Sequence, residues 1–115
     1  MKLKEIIELL NAKVIVDGNI ENVEIEKVTA SDLMSDVLAL GEEGSLLVTG
    51  LSSPQCIRTA GVVGIPAVLI VRNRDIMPET IEAAKLSGII LLSTKYSMFE
   101  TCGILYAKGL KPVKV

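Results

Sequence analysis

Leu46-Leu47-Val48, Ala67-Val68-Leu69-Ile70-Val71 and Ile89-Ile90-Leu91-Leu92 are the stretches that decide the fold. Each is a short, unbroken apolar run, and each opens into a polar turn followed by a stretch with helical spacing. A strand without polar alternation is covered on both faces, and strands that alternate with helices build a parallel sheet. The expected class is therefore α/β: a single domain over residues 1–115, mainly parallel sheet flanked by helices, with a small amino-terminal helix and hairpin. In such a sheet the turns that follow the strands share one edge, where open α/β folds hold their ligands.

Working outward, strand Leu46–Thr49 leads through Gly50-Leu51-Ser52 to Ser53-Pro54, which reads as an N-cap followed by proline at the first helical position. Helix Pro54–Val63 ends at Gly64. Strand Ala67–Val71 runs into Arg72-Asn73-Arg74-Asp75, then a helix opened by Pro78 and Glu79 and closed by Gly88. Strand Ile89–Ser93 precedes a helix from about Ser97 to Lys108, where Ser97 and Glu100 have capping-box spacing and Gly109 is the stop. The tail Leu110–Val115, interrupted by Pro112, fits either a loose end or an added edge strand.

Towards the amino terminus, Leu3, Ile6, Ile7 and Leu10 form one stripe of a helix over about Lys2–Leu10. Strand Ala12–Val16 stops at Asp17-Gly18-Asn19, a turn whose glycine and asparagine suit positive φ. In the extended stretch Val23–Ser31, Val23 and Ile25 have one parity while Val28 and Ala30 have the other. One strand cannot turn both pairs to the same face, so an interruption is expected near Glu26-Lys27, where the chain leaves the hairpin for the main sheet. Ser31-Asp32 end that stretch, and a short helix occupies about Met34–Leu40 before Gly41, with Asp32 and Ser35 as rival N-caps.

Half of the 115 residues are hydrophobic, yet only Tyr96, Phe99 and Tyr106 are aromatic. The core must be aliphatic, and there is little on which to stack a base. A net charge of −2 argues against general nucleic-acid binding. The charge is uneven: residues 1–43 hold ten acidic and four basic side chains, residues 44–115 four acidic and eight basic. That division favours self-association or an anionic ligand near the second half. No run is long enough to span a bilayer, and Met1–Leu10 reads as an amphipathic helix rather than a signal peptide, so the expected setting is the cytoplasm, away from membranes. Cys56 and Cys102 lack CxxC spacing and read as reduced structural thiols.

Catalytic equipment is sparse. There is no histidine to serve a Ser or Cys nucleophile, no P-loop, no GxGxxG between strand and helix, and no clustering of metal ligands. The expectation is a non-enzymatic domain without cofactor or metal. What the strand ends offer instead is a polar edge: Thr49, Ser52 and Ser53 after one strand, Arg72, Asn73 and Arg74 after the next, and Thr94 after the third. Helix N-termini and two arginines at one edge would stabilise a small anion such as a phosphate or carboxylate. The alternative is that the hydroxyls only cap helices and the arginines only meet solvent. Ser31-Asp32-Leu33-Met34-Ser35-Asp36 has three open readings: helix capping, an interface built on Leu33 and Met34, or ligand contact. Its two carboxylates lack further hard ligands for Mg²⁺. Gly103, inside a helix, points to close helix packing, within the fold or across a dimer.

Three stretches carry a family resemblance: Ser31–Ala39 after its strand, the Pro78-x-x-Ile81-x-x-Ala84 helix leading into Gly88-Ile89-Ile90, and Leu92-Ser93-Thr94 followed by Phe99-Glu100-Thr101. In their order and spacing they resemble the DRTGG domain, a family similar to the amino-terminal domain of bacterial HPr kinase/phosphorylase. The resemblance runs from the opening helix to Gly109. It implies a regulatory accessory domain, usually dimeric and without known catalytic activity. Such domains occur beside CBS domains in nucleotide-regulated pyrophosphatases, in front of phosphotransacetylases, or alone near hydrogenase genes, and this chain resembles the stand-alone kind. The expected function is thus a homodimeric regulatory module for a small anionic metabolite such as an adenine nucleotide. The alternative is an adaptor for a partner metabolic enzyme, such as a hydrogenase or phosphotransacetylase system, with no ligand of its own. The literal Asp-Arg-Thr-Gly-Gly pentapeptide is absent, and Arg72-Asn73-Arg74-Asp75 occupies the corresponding turn; the missing pentapeptide favours the adaptor, whereas Arg72 and Arg74 favour an anion.

Overall fold

A computed structural model describes every residue from Met1 to Val115. Four strands, β2 (Lys27–Ala30), β3 (Leu46–Thr49), β4 (Ala67–Ile70) and β5 (Ile90–Ser93), lie side by side in chain order and run parallel. β1 (Lys13–Val16) joins β5 antiparallel at one edge, and β6 (Lys111–Pro112) joins β2 parallel at the other, giving the order β1-β5-β4-β3-β2-β6. The tail is therefore an edge strand, fastened by Lys111 N–H to Glu26 O at 3.0 Å and Val113 N–H to Val28 O at 2.9 Å.

Both faces of the sheet are covered, which is why the three apolar runs show no alternation. Leu46, Val48, Ala67, Leu69, Ile90 and Leu92 meet Leu3 and Ile6 of α1 (Leu3–Leu9) and Leu105 of α5 (Met98–Ala107). Leu47, Val68, Ile70 and Leu91 meet Met34 and Val37 of α2 (Met34–Leu40), Ile57 and Ala60 of α3 (Gln55–Val63), and Ala84 of α4 (Pro78–Ser87). This layering follows from handedness. Right-handed crossovers that add β3, β4 and β5 in one direction put α2, α3 and α4 on one face; the step from β5 back to β6 reverses direction and puts α5 on the other.

Helix ends follow local chemistry. Gly64 and Gly88 close α3 and α4 in the left-handed region at φ 89° and 71°. Ser97 Oγ accepts from Glu100 N–H while a Glu100 carboxylate oxygen accepts from Ser97 N–H, both at 3.1 Å, completing the expected capping box. The interruption near Glu26-Lys27 is also present. Glu24 bridges to Lys2, Ile25 N–H donates to Met1 O, and the regular strand begins only at Lys27. Ile25 and Val28, of opposite parity, consequently reach the same side of the sheet.

The expected hairpin does not form. β1 and β2 are separated by β5, β4 and β3, because the end of α1 is tied to the far side of the sheet: Thr94 Oγ1 donates to Leu10 O at 2.8 Å, delivering β1 to the free edge of β5. Gly18 has no positive φ; it is needed because a Cβ there would lie 2.8 Å from Ile90 Cγ1. Two expected N-caps also give way. α2 starts after Leu33, and α3 after Pro54, with no side-chain cap in either case; neither Asp32 nor Ser35 caps α2, and Ser53 does not cap α3 with its hydroxyl.

Candidate functional site

The parallel strands bring the loops around Ser52, Asn73 and Thr94 to one edge, and direct hydrogen bonds fasten them together. Val71 N–H donates to Thr49 O at 3.0 Å, Arg72 N–H to Tyr96 O at 2.8 Å and Asn73 N–H to Thr94 O at 2.9 Å. Ser52 O accepts from Thr80 Oγ1 at 2.7 Å, which ties the loop after β3 to the start of α4.

The loop after β2 joins them through Asp32. Its Oδ1 accepts from Gly50 N–H at 2.6 Å and from Thr49 Oγ1 at 3.2 Å. A carboxylate two residues before a helix reads as a cap in the sequence; here it turns sideways to the neighbouring strand end. Ser31 Oγ instead accepts from Leu33 N–H at 3.0 Å and shapes the turn. Within the rest of that segment Met34 is buried in the core, Leu33 is exposed, Asp36 is half-buried and Ser35 faces solvent.

Thr49 and Thr94, expected among the ligand groups, are fully buried, and their hydroxyls hold loops: Thr49 Oγ1 accepts from Leu51 N–H, and Thr94 Oγ1 accepts from Tyr96 N–H. Ser52 and Ser53 are half-buried, whereas Arg72, Asn73 and Arg74 are exposed. The two arginines diverge. An Arg72 Nη lies 3.1 Å from where a Cβ on Gly50 would stand, on the β3 side of the edge. Arg74 lines a hollow of about 260 Å³ on the β1 side, with Lys13, Ile15 and Ile81.

The backbone under Arg72 is unusual. Arg72 and Asn73 adopt left-handed conformations in succession, φ 67° and 50°. Asparagine tolerates this region, but for arginine it costs on the order of 1–2 kcal/mol, and such strain persists only where surrounding contacts enforce it. The bonds to Tyr96 O and Thr94 O enforce it here and carry the guanidinium back over Gly50. Gly50, a turn residue in the sequence, lies beneath this edge; its signal was a glycine directly after a fully buried strand. None of the three ion pairs in the chain involves an arginine.

Neither cysteine is an activated thiol. Burial pushes the Cys56 thiol up to about 11 and raises that of Cys102 as well, so both stay protonated at neutral pH. No three side chains among His, Cys, Asp and Glu converge as a metal site, and no helix is long and apolar enough to cross a membrane.

A second surface is apolar. The outward side of α5 carries Phe99 (88% exposed), Gly103 and Tyr106 (70% exposed) at helical spacing. Beside it runs a groove of about 170 Å³ between α5 and the β2–β6 edge, lined by Val28, Ala30, Cys102, Tyr106 and Val113.

No family model matches the sequence, and no curated protein matches it. Among solved structures, the fold is similar to the CBS and DRTGG domains of the regulatory region of Clostridium perfringens pyrophosphatase, which was crystallised with its activator, diadenosine tetraphosphate. The likeness has a TM-score of 0.77 at 18% identity and covers 96% of this chain and 47% of the other, so the chain spans about half that regulatory region. At this identity the likeness establishes the architecture alone: the chain shares its α/β fold with part of that region.

Proposed function

We propose that the chain is a non-enzymatic regulatory module of the DRTGG kind that binds a small phosphorylated metabolite, with adenine nucleotides the leading class, at the strand-end edge. The observation that carries this reading is Arg72: an exposed guanidinium without an ion-pair partner, mounted on a strained left-handed backbone that the loop after β5 holds in place. A surface arginine with no task has no reason to occupy such a conformation. The regulatory pyrophosphatase structure supports the ligand class, since its activator is an adenine nucleotide. In this reading the module works in the cytoplasm as a homodimer.

The test is thermal denaturation with AMP, ADP and ATP. A nucleotide present at a hundredfold its dissociation constant adds about 2.7 kcal/mol to the folded state. We expect Arg72→Ala to abolish the rise in melting temperature and Arg74→Ala to reduce it less, because Arg74 faces the β1 side. A shift that survives Arg72→Ala would place the ligand elsewhere.

The adaptor reading has its own observation, the exposed apolar side of α5. Aromatic residues are enriched at protein interfaces and depleted on bare surfaces. Both strongly exposed aromatics of the chain, Phe99 and Tyr106, stand on this one helix face. A partner metabolic enzyme or a second copy of the chain would cover it.

A further inference from the structure

We infer that the hollow between β1 and α4 is a second binding site, suited to a small aliphatic α-amino acid: cations for its carboxylate, a carboxylate for its ammonium group and isoleucines for its side chain. The hollow measures about 260 Å³ and does not include Arg72. Its floor is the end of β5. Ser93 follows Leu91 at strand spacing and so turns to the same face of the sheet, towards α4. Ser93 is only 8% exposed and lines the hollow. The other buried hydroxyls at this end of the sheet, those of Thr49, Thr80 and Thr94, are each bonded to the protein, whereas that of Ser93 is not. A buried polar group of this kind calls for a partner.

The walls carry both signs of charge. Lys13 stands directly opposite Ser93 in the β1–β5 pair, and residues so paired share a side of the sheet. Arg74 and Asp75 reach the hollow from the loop after β4, and none of these three side chains takes part in an ion pair. The apolar wall comes from two elements. A bulge between Val14 and Val16 lets the consecutive residues Ile15 and Val16 both pack on the α4 side, and Ile76 and Ile81 face Ile15 across the hollow. A bare oxyanion would be repelled by Asp75 and would gain nothing from the isoleucines. An aliphatic carboxylate leaves Asp75 without a partner, and an alkylamine leaves Lys13 and Arg74 without one. A zwitterion with an aliphatic side chain engages all of them, its charged groups through charge-assisted hydrogen bonds and its carboxylate within reach of a hydroxyl donor. The inference does not depend on the strand-end nucleotide reading.

Calorimetric titration of the full chain with L-leucine tests this, beside 4-methylpentanoate, which lacks the ammonium group, and 3-methylbutylamine, which lacks the carboxylate. L-leucine should bind at least about tenfold more tightly than either, the usual worth of one hydrogen bond to a charged group. Lys13→Ala, a change to an exposed side chain, should weaken leucine by a similar factor, and Asp75→Asn should erase the preference for leucine over 4-methylpentanoate. Ser93→Val fills the floor with a residue suited to a strand; leucine binding should be lost while the melting temperature holds or rises, because an unpaired hydroxyl is replaced by apolar surface. A wild-type chain that binds no leucine, or binds it no better than 4-methylpentanoate, overturns the proposal. So does a Lys13→Ala or Ser93→Val chain that binds leucine as the wild type does. The nucleotide-induced rise in melting temperature reads the strand-end site separately in each variant.

Discussion

The strand-end edge and the outer side of α5 are both exposed, and they are built by opposite means. At the edge, four loops from distant parts of the chain are fastened by short hydrogen bonds, two residues are forced into left-handed backbone, and one glycine lets two charged side chains close over the end of β3. On α5 nothing is forced. Its backbone is regular helix, its start is satisfied by the Ser97 and Glu100 box, and only the choice of outward residues is unusual. Such a difference is what the recognition of two unlike partners, as proposed, would require. A small polar ligand offers few atoms, so affinity depends on groups held in position. A protein partner offers area, and a few aromatics on a rigid helix suffice as anchors.

If that division is right, the two surfaces can be disabled separately, and the largest effect belongs to α5. Aromatic residues that act as interface hot spots cost about 2 kcal/mol or more each when truncated. Replacing Phe99 and Tyr106 together by Ser should therefore weaken self-association or partner capture by at least about a hundredfold. Multi-angle light scattering at micromolar concentration reads this as a shift from dimer to monomer, and the nucleotide-induced rise in melting temperature should persist. Loss of the nucleotide effect in the same variant would show that the surfaces are coupled. A wild-type chain that is already monomeric would remove the homodimer and leave α5 to another protein.

A smaller effect sharpens the edge. Relieving the left-handed strain at position 72 should stabilise the chain, since glycine adopts φ 67° without the Cβ clash. Part of the gain is offset by the greater freedom of glycine in the unfolded chain, leaving about 1 kcal/mol. Arg72→Gly is thus expected to raise the urea midpoint while eliminating nucleotide binding. A variant that gains stability by losing its ligand group is the signature of strain kept for function. A fall in the urea midpoint would mean that the arginine is there for the fold.

The sequence carried the sheet plainly and the site in part. The runs at 46–48, 67–71 and 89–92 were legible because burial on both faces removes alternation, and Gly64, Gly88 and Ser97 because helix ends have local chemistry. The juxtaposition of the loops followed from parallelism alone. The place of β1 was not legible: it depends on Thr94 holding Leu10 across 84 residues, a contact no local pattern encodes. The role of Asp32 was hidden for a related reason. Before a helix, a carboxylate and a cap look identical, and only the neighbouring end of β3 shows that Asp32 binds Gly50 instead. Divergence of Arg72 from Arg74 required the backbone angle between them. Thr49 and Thr94 looked like ligand groups because polarity after a strand suggests exposure, yet both are buried and hold the loops that place Arg72.

The last and mildest change returns to α5. Gly103 sits in the middle of a ten-residue helix, where glycine is less favourable than alanine by roughly 0.8–1.0 kcal/mol. A Cβ there would meet nothing within 4 Å, so no contact inside the molecule calls for a glycine. Position 103 lies between Phe99 and Tyr106 on the same side of the helix, where a missing side chain lets a second helix approach closely. Gly103→Ala should raise stability by nearly the full helical preference under conditions where the chain is monomeric. In the associated state the added methyl groups would hold two surfaces apart, so the same substitution should weaken association. Measuring the melting temperature across a hundredfold range of protein concentration separates the two effects: the variant should be more stable when dilute and lose that advantage when concentrated. An advantage that stays constant with concentration would show that α5 meets its partner without close approach at Gly103, and the aromatic pair alone would then define the contact.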